Sequence, residues 1–425
     1  MKYTIPELTR VEGHGGIDVT LKGNKVEDVK FNIFEGPRFF ESMIKGHYYD
    51  KIPDITRRIC AICTASHSLA SIGAIENAFE LEPTPQTALL RDLLIHGETI
   101  ESHALHVFML ALPDYLGYPD AITMASEYPD AVKNALELKK TGNMIHTLLS
   151  GREVHGMNER VGGFSTIPRE EDLVKLRDSL SRVKPVGELA VELLKNYEPP
   201  AYNNSDNLLI AIDPGEKFGF LGDYIITSNG EKIHQSRYKE ITNEGTVNHS
   251  YAKHSLYNGE PFMVGSLPRV ILNGEKLENS AKGLFLEHKA LLLQSNSISN
   301  NLAQALELVH CIERSIQDID VLLSNGLTQE GIMEVEVFES RGINAVEAPR
   351  GTLYHDYTFN DKGEITKANI ITPTAQNAAN IEKDVKVIAE NLVNSDENKV
   401  IEALELMVRA YDPCISCSVH LTHIK

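Results

Sequence analysis

Apolar and polar positions alternate through the first part of the chain. Val19, Leu21, Val26, Val29, Phe31 and Ile33 flank the turn Lys22-Gly23-Asn24, which predicts a β-hairpin over 17–35. Near residue 66 the period changes: Leu69, Ile72, Ile75 and Phe79 recur at helical spacing as far as Pro83. Thr84 as cap and Pro85 in the first turn then open a second helix. Its apolar face runs Leu89, Leu90, Leu93, Ile100, Ala104 and Phe108, and Pro113 is expected to end it. At ~1.5 Å per residue this helix is about 40 Å long. Helices near 121–149 and 170–195 follow, then a break at Tyr197-Glu198-Pro199-Pro200-Ala201-Tyr202-Asn203-Asn204.

Beyond the break, 207–275 is rich in β-branched residues and reads mostly as strand. One long helix is expected over 281–324, closed by Asn325-Gly326. Strands and loops over 331–375 and helices near 378–393 and 397–410 complete the chain. The fold class expected is α+β, predominantly helical, with a long central helix bundle and flanking β elements. The chain reads as one domain over 1–425. Within it, 1–40 is β-rich, 41–199 helical, 200–275 β-rich, and 276–420 helices and loops that carry the last cysteines.

Composition narrows the function. Of 425 residues, 42% are hydrophobic and 24% charged, and the net charge is −19. That is a globular profile, and its sign disfavours nucleic acid or an anionic membrane surface as partner. No apolar run is long enough to span a bilayer, and the N-terminus has no signal core. Five cysteines in such a length are no disulfide scaffold, so a reducing, cytoplasmic setting is expected. Gly13-His14-Gly15-Gly16 has the wrong spacing for a dinucleotide loop, and phosphate-loop, zinc-protease and serine-elbow motifs are absent.

Four of the cysteines form two Cys-x-x-Cys pairs, Cys60/Cys63 and Cys414/Cys417, roughly 350 residues apart. Closing a loop of that length costs on the order of 5 kcal/mol of chain entropy. Thiolates converging on one point make a soft metal site. A four-cysteine structural zinc site and a redox metal both remain open on spacing alone. Cys60 and Cys63 precede a helix, with Thr64 or Ser66 as expected cap, and a helix N-terminus favours thiolate. His67, one turn on, is expected to reach back to the Cys63 sulfur. At the other end, Cys414-Ile415-Ser416-Cys417-Ser418-Val419-His420 suggests a terminus tied down by metal.

Here the chain resembles the large subunit of nickel–iron hydrogenases, nearly end to end. Arg58-x-Cys60-x-x-Cys63-x-x-x-His67 and Asp412-Pro413-Cys414-x-x-Cys417-x-x-His420 are similar to that family's two metal-binding signatures. Arg10-Val11-Glu12-Gly13-His14 resembles its opening motif. Arg38-Phe39-Phe40-Glu41 resembles its Arg-Gly-Phe-Glu segment, with Phe39 in place of Gly. Ala348-Pro349-Arg350-Gly351 resembles its arginine loop. Thr372-Pro373-Thr374-Ala375-Gln376-Asn377 resembles its Pro-Ser/Thr-Thr-Trp-Asn segment, with departures at Ala375 and Gln376.

The resemblance implies a fold, a reaction and roles. Cys60 and Cys414 would be terminal nickel ligands, and Cys63 and Cys417 would bridge nickel to an iron that carries carbon monoxide and cyanide. Cys414 would take the proton of heterolytically split H2 and Glu12 would relay it outward. Arg350 would hang over the open position, Pro373 and Thr374 would line the diatomic-ligand pocket, and His67 would support the site. Glu41 and His420 would bind a magnesium or iron(II) ion near the C-terminus. Ser102 stands where respiratory members often have Asp, so the surroundings of Arg350 must differ. This and the Ser-Cys-Ser-Val-His ending look like the soluble, cofactor-coupled branch. Leu421 to Lys425 would be the extension removed after nickel loading.

No cysteine is left for iron–sulfur clusters, so a cluster-bearing small subunit is implied, with nicotinamide-, deazaflavin- or ferredoxin-linked subunits beyond it. The alternative is a metal-free or zinc-binding relative of the same fold in a structural or energy-coupling role. His96, His103 and His106 read as core or surface histidines, and Glu307-x-x-His310 lacks the helical partner a di-iron site needs. Cys311, mid-helix, reads as a buried apolar residue.

Overall fold

The N-terminal alternation closes as an antiparallel sheet in a computed structural model that describes residues 2–195, 207–294 and 296–419. The expected hairpin is β2 (Gly15–Lys22) and β3 (Lys25–Ile33), and β1 (Lys2–Ile5) adds a third strand through Ile5↔Ile17. Tyr3 and Ile5 are buried on one face, an alternation too short to stand out in sequence. Short helices α1 (Phe40–Met43) and α2 (Ile52–Thr56) lead to α3 (Thr64–Ala78) and α4 (Pro85–Leu105). Thr84 caps α4 as expected, its Oγ1 accepting from Thr87 N at 3.1 Å.

The rod does not stop before Pro113. It widens into a π-turn over His106–Ala111 and runs into α5 (Leu112–Leu116), where Pro113 occupies the first turn. Proline is tolerated there because a first-turn N–H has no partner to lose. Then come α6 (Ala121–Met124), α7 (Pro129–Ser150), the strand pair β4 (Glu159–Arg160) and β5 (Gly163–Phe164), and α8 (Glu170–Leu194).

The β-rich stretch contains β6 (Leu208–Asp213), β7 (Tyr224–Thr227), β8 (Lys232–His234), β9 (Asn243–Gly245), β10 (His254–Leu256) and β11 (Phe262–Met263). Its last part departs from expectation, because Ser266–Asn273 is helical (α9). The helix expected over 281–324 is two, α10 (Asn279–Leu292) and α11 (Asn300–Asn325). Between them Asn296 accepts from Ile298 N at 3.0 Å, a side-chain turn that competes with helix. The antiparallel sheet β12 (Ser340–Ala348), β13 (Gly351–Phe359), β14 (Ile365–Ile371) follows. Helix α12 (Pro373–Asn391) starts five residues earlier than expected, with Pro373 in its first turn, and α13 (Glu397–Ala410) precedes the last cysteines.

Helix α4 lies against α7 and α11, and α8 against α11. A Cβ on Gly142 of α7 would stand 2.7 Å from Gly97 O of α4, so the two backbones meet where a side chain has no room. Helix α3 packs on β12 and β13, and α12 on β3 and β10. The main apolar core runs through all of these elements but β10, and the four paired cysteines form a separate small cluster with Ile62. The Pro-Pro break, His420 and Leu421 to Lys425 lie outside the described residues.

Candidate metal centre

Each cysteine is placed by a different local device. Cys60 leaves α2 and its 3-10 extension in extended backbone, and Cys63 is the residue just before α3, at its N-cap position. Cys414 pairs with Glu12 in a parallel bridge in which Ile415 N donates to Glu12 O at 2.9 Å. Cys417 lies in the single turn Ser416–Ser418. The four sulfurs all lie within 4.8 Å of one another and are buried, with Cys60 Sγ 3.6 Å from Cys414 Sγ. The Cys63 N–H points at Cys60 Sγ at 3.1 Å.

The cap of α3 differs from expectation. Neither Thr64 nor Ser66 caps it; the carboxylate of Glu98, on α4, does. Glu98 Oε1 accepts from Ala65 N at 2.7 Å, and Oε2 from Ser66 N at 3.0 Å and from the Ser66 hydroxyl. Burial first, then the nearby Cys63, push the Glu98 carboxyl well above the usual carboxylate range.

Thiol protonation divides the cluster. Hydrogen bonding from Cys414 holds Cys60 and Cys63 below the ordinary thiol range. Cys414 is pushed well up by its contact with Cys417, and Cys417 by burial. Ionising all four would concentrate negative charge beside one contacting cation among the described residues, the Arg350 guanidinium, whose Nη1 is 3.5 Å from Cys63 Sγ. A soft cation removes that conflict, so the donor set fits a thiolate-bound metal.

Around the sulfurs stand most of the predicted residues. Arg350 is buried on Asp412, donating from Nε to its carbonyl oxygen at 2.9 Å and from Nη2 to Oδ1 at 3.0 Å. Asp412 is steadied by Gln304 Nε2 at 3.1 Å. Ser102 is buried, with no hydrogen-bond partner for its hydroxyl among the described residues. Thr374, in the first turn of α12, accepts from Cys414 N at 2.9 Å, which leaves its own O–H free to donate. Pro373 is buried beside it. Glu12 is half-buried, Oε2 accepting from Ser416 N at 3.0 Å and Oε1 from the Ser416 hydroxyl.

His67 corrects an expectation. The hydrogen bond it makes goes to His355, Nδ1 to Nε2 at 3.1 Å, and not to the Cys63 sulfur. Burial lowers its pKa to about 4. Glu41 is wholly buried, Oε1 accepting from Ile370 N at 2.8 Å while Oε2 has no partner among the described residues. An orphaned, buried carboxylate oxygen of this kind fits a hard cation. His420, its expected co-ligand, lies outside the described residues. His96, His103 and His106 are buried on α4 and its extension, facing Asp318, Glu307 and Gln304, and Cys311 is buried in α11.

The family model described as nickel-dependent hydrogenase matches residues 38–132 and 226–420, and one described as HoxL-like matches 2–35. The chain belongs to the nickel-dependent hydrogenase family. It is 40% identical over 425 residues to the alpha chain of sulfhydrogenase 1 from Pyrococcus furiosus, covering 100% of this chain and 99% of that one. It is 30% identical to a chain of the vhc F420-non-reducing hydrogenase from Methanococcus voltae, covering 99% of this chain and 95% of that one. The fold matches that of an NAD+-reducing [NiFe]-hydrogenase solved in the H2-reduced state, with TM-score 0.88, 24% identity and 99% of each chain covered. As a family member the chain is a catalytic hydrogenase subunit, an oxidoreductase acting on H2, with a metal-binding cysteine cluster.

Sequence reasoning missed Glu98, His355 and Ser416. Glu98 carries a weak signal, a charge one helical turn after the apolar Leu94 and Ile95. His355 and Ser416 carry none, since each acts only through a partner distant in sequence.

Proposed function

We propose that this chain catalyses H2 ⇌ 2H+ + 2e− at a nickel–iron centre held by Cys60, Cys63, Cys414 and Cys417. The observation that carries this is the meeting of four buried sulfurs from opposite ends of the chain. When bound, such a centre supplies the Lewis-acid and redox chemistry by which H2 is split. The chain's residues do the rest. The Cys414 thiolate takes one proton, and Glu12, bridged to the Cys414 backbone and half open to solvent, passes it outward. Arg350 is held rigid by Asp412, so its Nη1 faces the sulfurs and polarises what binds there. The free O–H of Thr374 would donate to a cyanide, and Pro373 would line the pocket of carbon monoxide and cyanide. His67 positions α3 through His355. Glu41, with His420, would hold Mg2+ or Fe2+.

The two electrons must leave through another protein, because the one cysteine outside the cluster, Cys311, is buried within α11. An iron–sulfur small subunit is the receiver, and a nicotinamide-, deazaflavin- or ferredoxin-linked module lies beyond it. Relatives whose names make them one subunit among several support a heteromeric assembly. Among the described residues no helix is long and apolar enough to cross a membrane; the five free thiols accord with a reducing, cytoplasmic site of action. We read 1–425 as one domain with α4, α7, α8 and α11 as its central bundle and 421–425 as a removable tail.

The test is metal content together with turnover of the complex purified without oxygen. About one nickel per chain is expected, and Cys414→Ser should abolish H2-dependent dye reduction. Zinc in place of nickel, or full activity in Cys414→Ser, refutes the reading.

A further inference from the structure

Away from the cysteines, two imidazoles and a carboxylate converge. His249 lies in the loop between β9 and β10, His254 is the first residue of β10, and Glu382 is on α12. Their potential ligand atoms all lie within 4.8 Å of one another. His249 Nε2 is 2.7 Å from Glu382 Oε1, and the two rings are 5.5 Å apart in an edge-on arrangement. Phe31 N donates to the same oxygen at 2.9 Å.

His254 does not fit a simple hydrogen-bonded ion pair. It is only 7% exposed, and neither ring nitrogen has a hydrogen-bond partner among the described residues. Its Nε2 approaches Glu382 Oε1 at 3.4 Å without hydrogen-bond alignment. A buried polar group is costly to leave in that state unless something else satisfies it. The neighbouring ammonium of Lys253 is engaged elsewhere, 2.8 Å from Glu244.

We propose that His249, His254 and Glu382 form a second metal site, for a divalent cation of the zinc class. Two neutral imidazoles and one carboxylate are a donor set that zinc takes, with a fourth position left for water. Side chains of His249 and Glu382 are 22% and 20% exposed, so water reaches that position. Zinc–ligand bonds near ~2.0 Å place ligand atoms roughly 3.3 Å apart in a tetrahedron. His254 Nε2, 3.4 Å from Glu382 Oε1, already stands at about that separation, and His249 Nε2, at 2.7 Å, needs only to draw back slightly. A bound cation would tie the β9–β10 loop to α12 and, through Phe31, to β3. Helix α12 is the element whose first turn sets Thr374 against Cys414.

The test uses the nickel-loaded complex, in which the cysteine sulfurs are already occupied. Zinc is measured by elemental mass spectrometry. Cobalt(II) is then titrated into zinc-depleted complex and followed by its visible d–d bands. About one zinc per chain is expected, and cobalt bands without sulfur-to-cobalt charge transfer. His254→Ala and Glu382→Gln should weaken cobalt binding at least about tenfold with nickel content unchanged. His249→Ala, at the more open edge, serves if a buried variant fails to fold. The absence of a saturable cobalt site in the wild type overturns the proposal. So does a site that survives in all the variants that fold.

Discussion

Gly13 is the position where a single methyl group should do most harm to the metal centre. Its φ is +86°, and a Cβ there would lie 2.8 Å from Ile415 Cβ and 2.9 Å from Ser416 N. Those two residues separate Cys414 from Cys417. Gly13→Ala therefore carries two penalties. Left-handed backbone costs a residue with a Cβ about 1–2 kcal/mol. Overpacking against the ligand loop adds about 1–3 kcal/mol, partly because Ser416 N is backbone and cannot swing aside. The sum, roughly 2–5 kcal/mol, amounts to about 30-fold or more against the native loop position. Gly23 is the control: its φ is +64°, but a Cβ there meets nothing within 4 Å. Gly23→Ala bears the backbone cost alone. The assay is nickel per chain and H2-dependent dye reduction on both purified variants. Gly13→Ala should lose at least about nine-tenths of its nickel, and Gly23→Ala should keep it. Equal nickel in the two variants would refute the argument that contact with Ile415 and Ser416 sets the ligand loop.

Three further outcomes are expected. Arg350→Lys removes the planar fork that grips Asp412, so turnover should drop about 10²-fold or more with nickel retained; unchanged turnover makes the arginine structural. Glu98→Gln replaces one of the two accepting oxygens with an NH2, which then faces the N–H of either Ala65 or Ser66, and should lower unfolding stability by about 1–3 kcal/mol; an unchanged denaturation midpoint refutes the capping role. Burial raises the Asp318 carboxyl from 3.8 to about 7, so the folded chain holds a proton that the unfolded chain has lost across that window. Stability should fall as pH rises from 3.8 to about 7, and Asp318→Asn should flatten that slope in pH-dependent thermal melts; an unaltered slope shows that other groups govern it.

How far the sequence foretold this arrangement depended on the range of the forces involved. Local signals translated directly: the Thr84-Pro85 start of α4, the hairpin around Gly23 and the Gly326 stop of α11 each rest on backbone chemistry within a few residues. The cysteine pairs were legible because four thiols in one reducing protein imply a shared metal. Asn296, whose side chain turns the chain between α10 and α11, was lost in an apolar period that continues on both sides of it. The π-turn before Pro113 is set by packing and leaves no local mark. Glu98 and His355 act across α4–α3 and β13–α3 contacts, which a single sequence does not display. Asp412 stood in plain view beside Cys414, yet its grip on Arg350 depends on a loop more than sixty residues away.

The bridge between Glu12 and Cys414 has a consequence for biosynthesis. Ribosomes add about 5–20 residues per second, so Cys60 and Cys63 emerge on the order of half a minute before Cys414 is made. Through that interval the first pair has no partner sulfurs, and the backbone of Glu12 lacks its bridge partner. The pocket cannot be preassembled on the nascent chain and then filled. Metal must arrive after synthesis has passed Cys417, at a polypeptide whose remaining parts have had time to fold around an open seam. Closing that seam joins the two ends of the chain, and a metal held by all four thiolates favours the closed form over the open one by mass action.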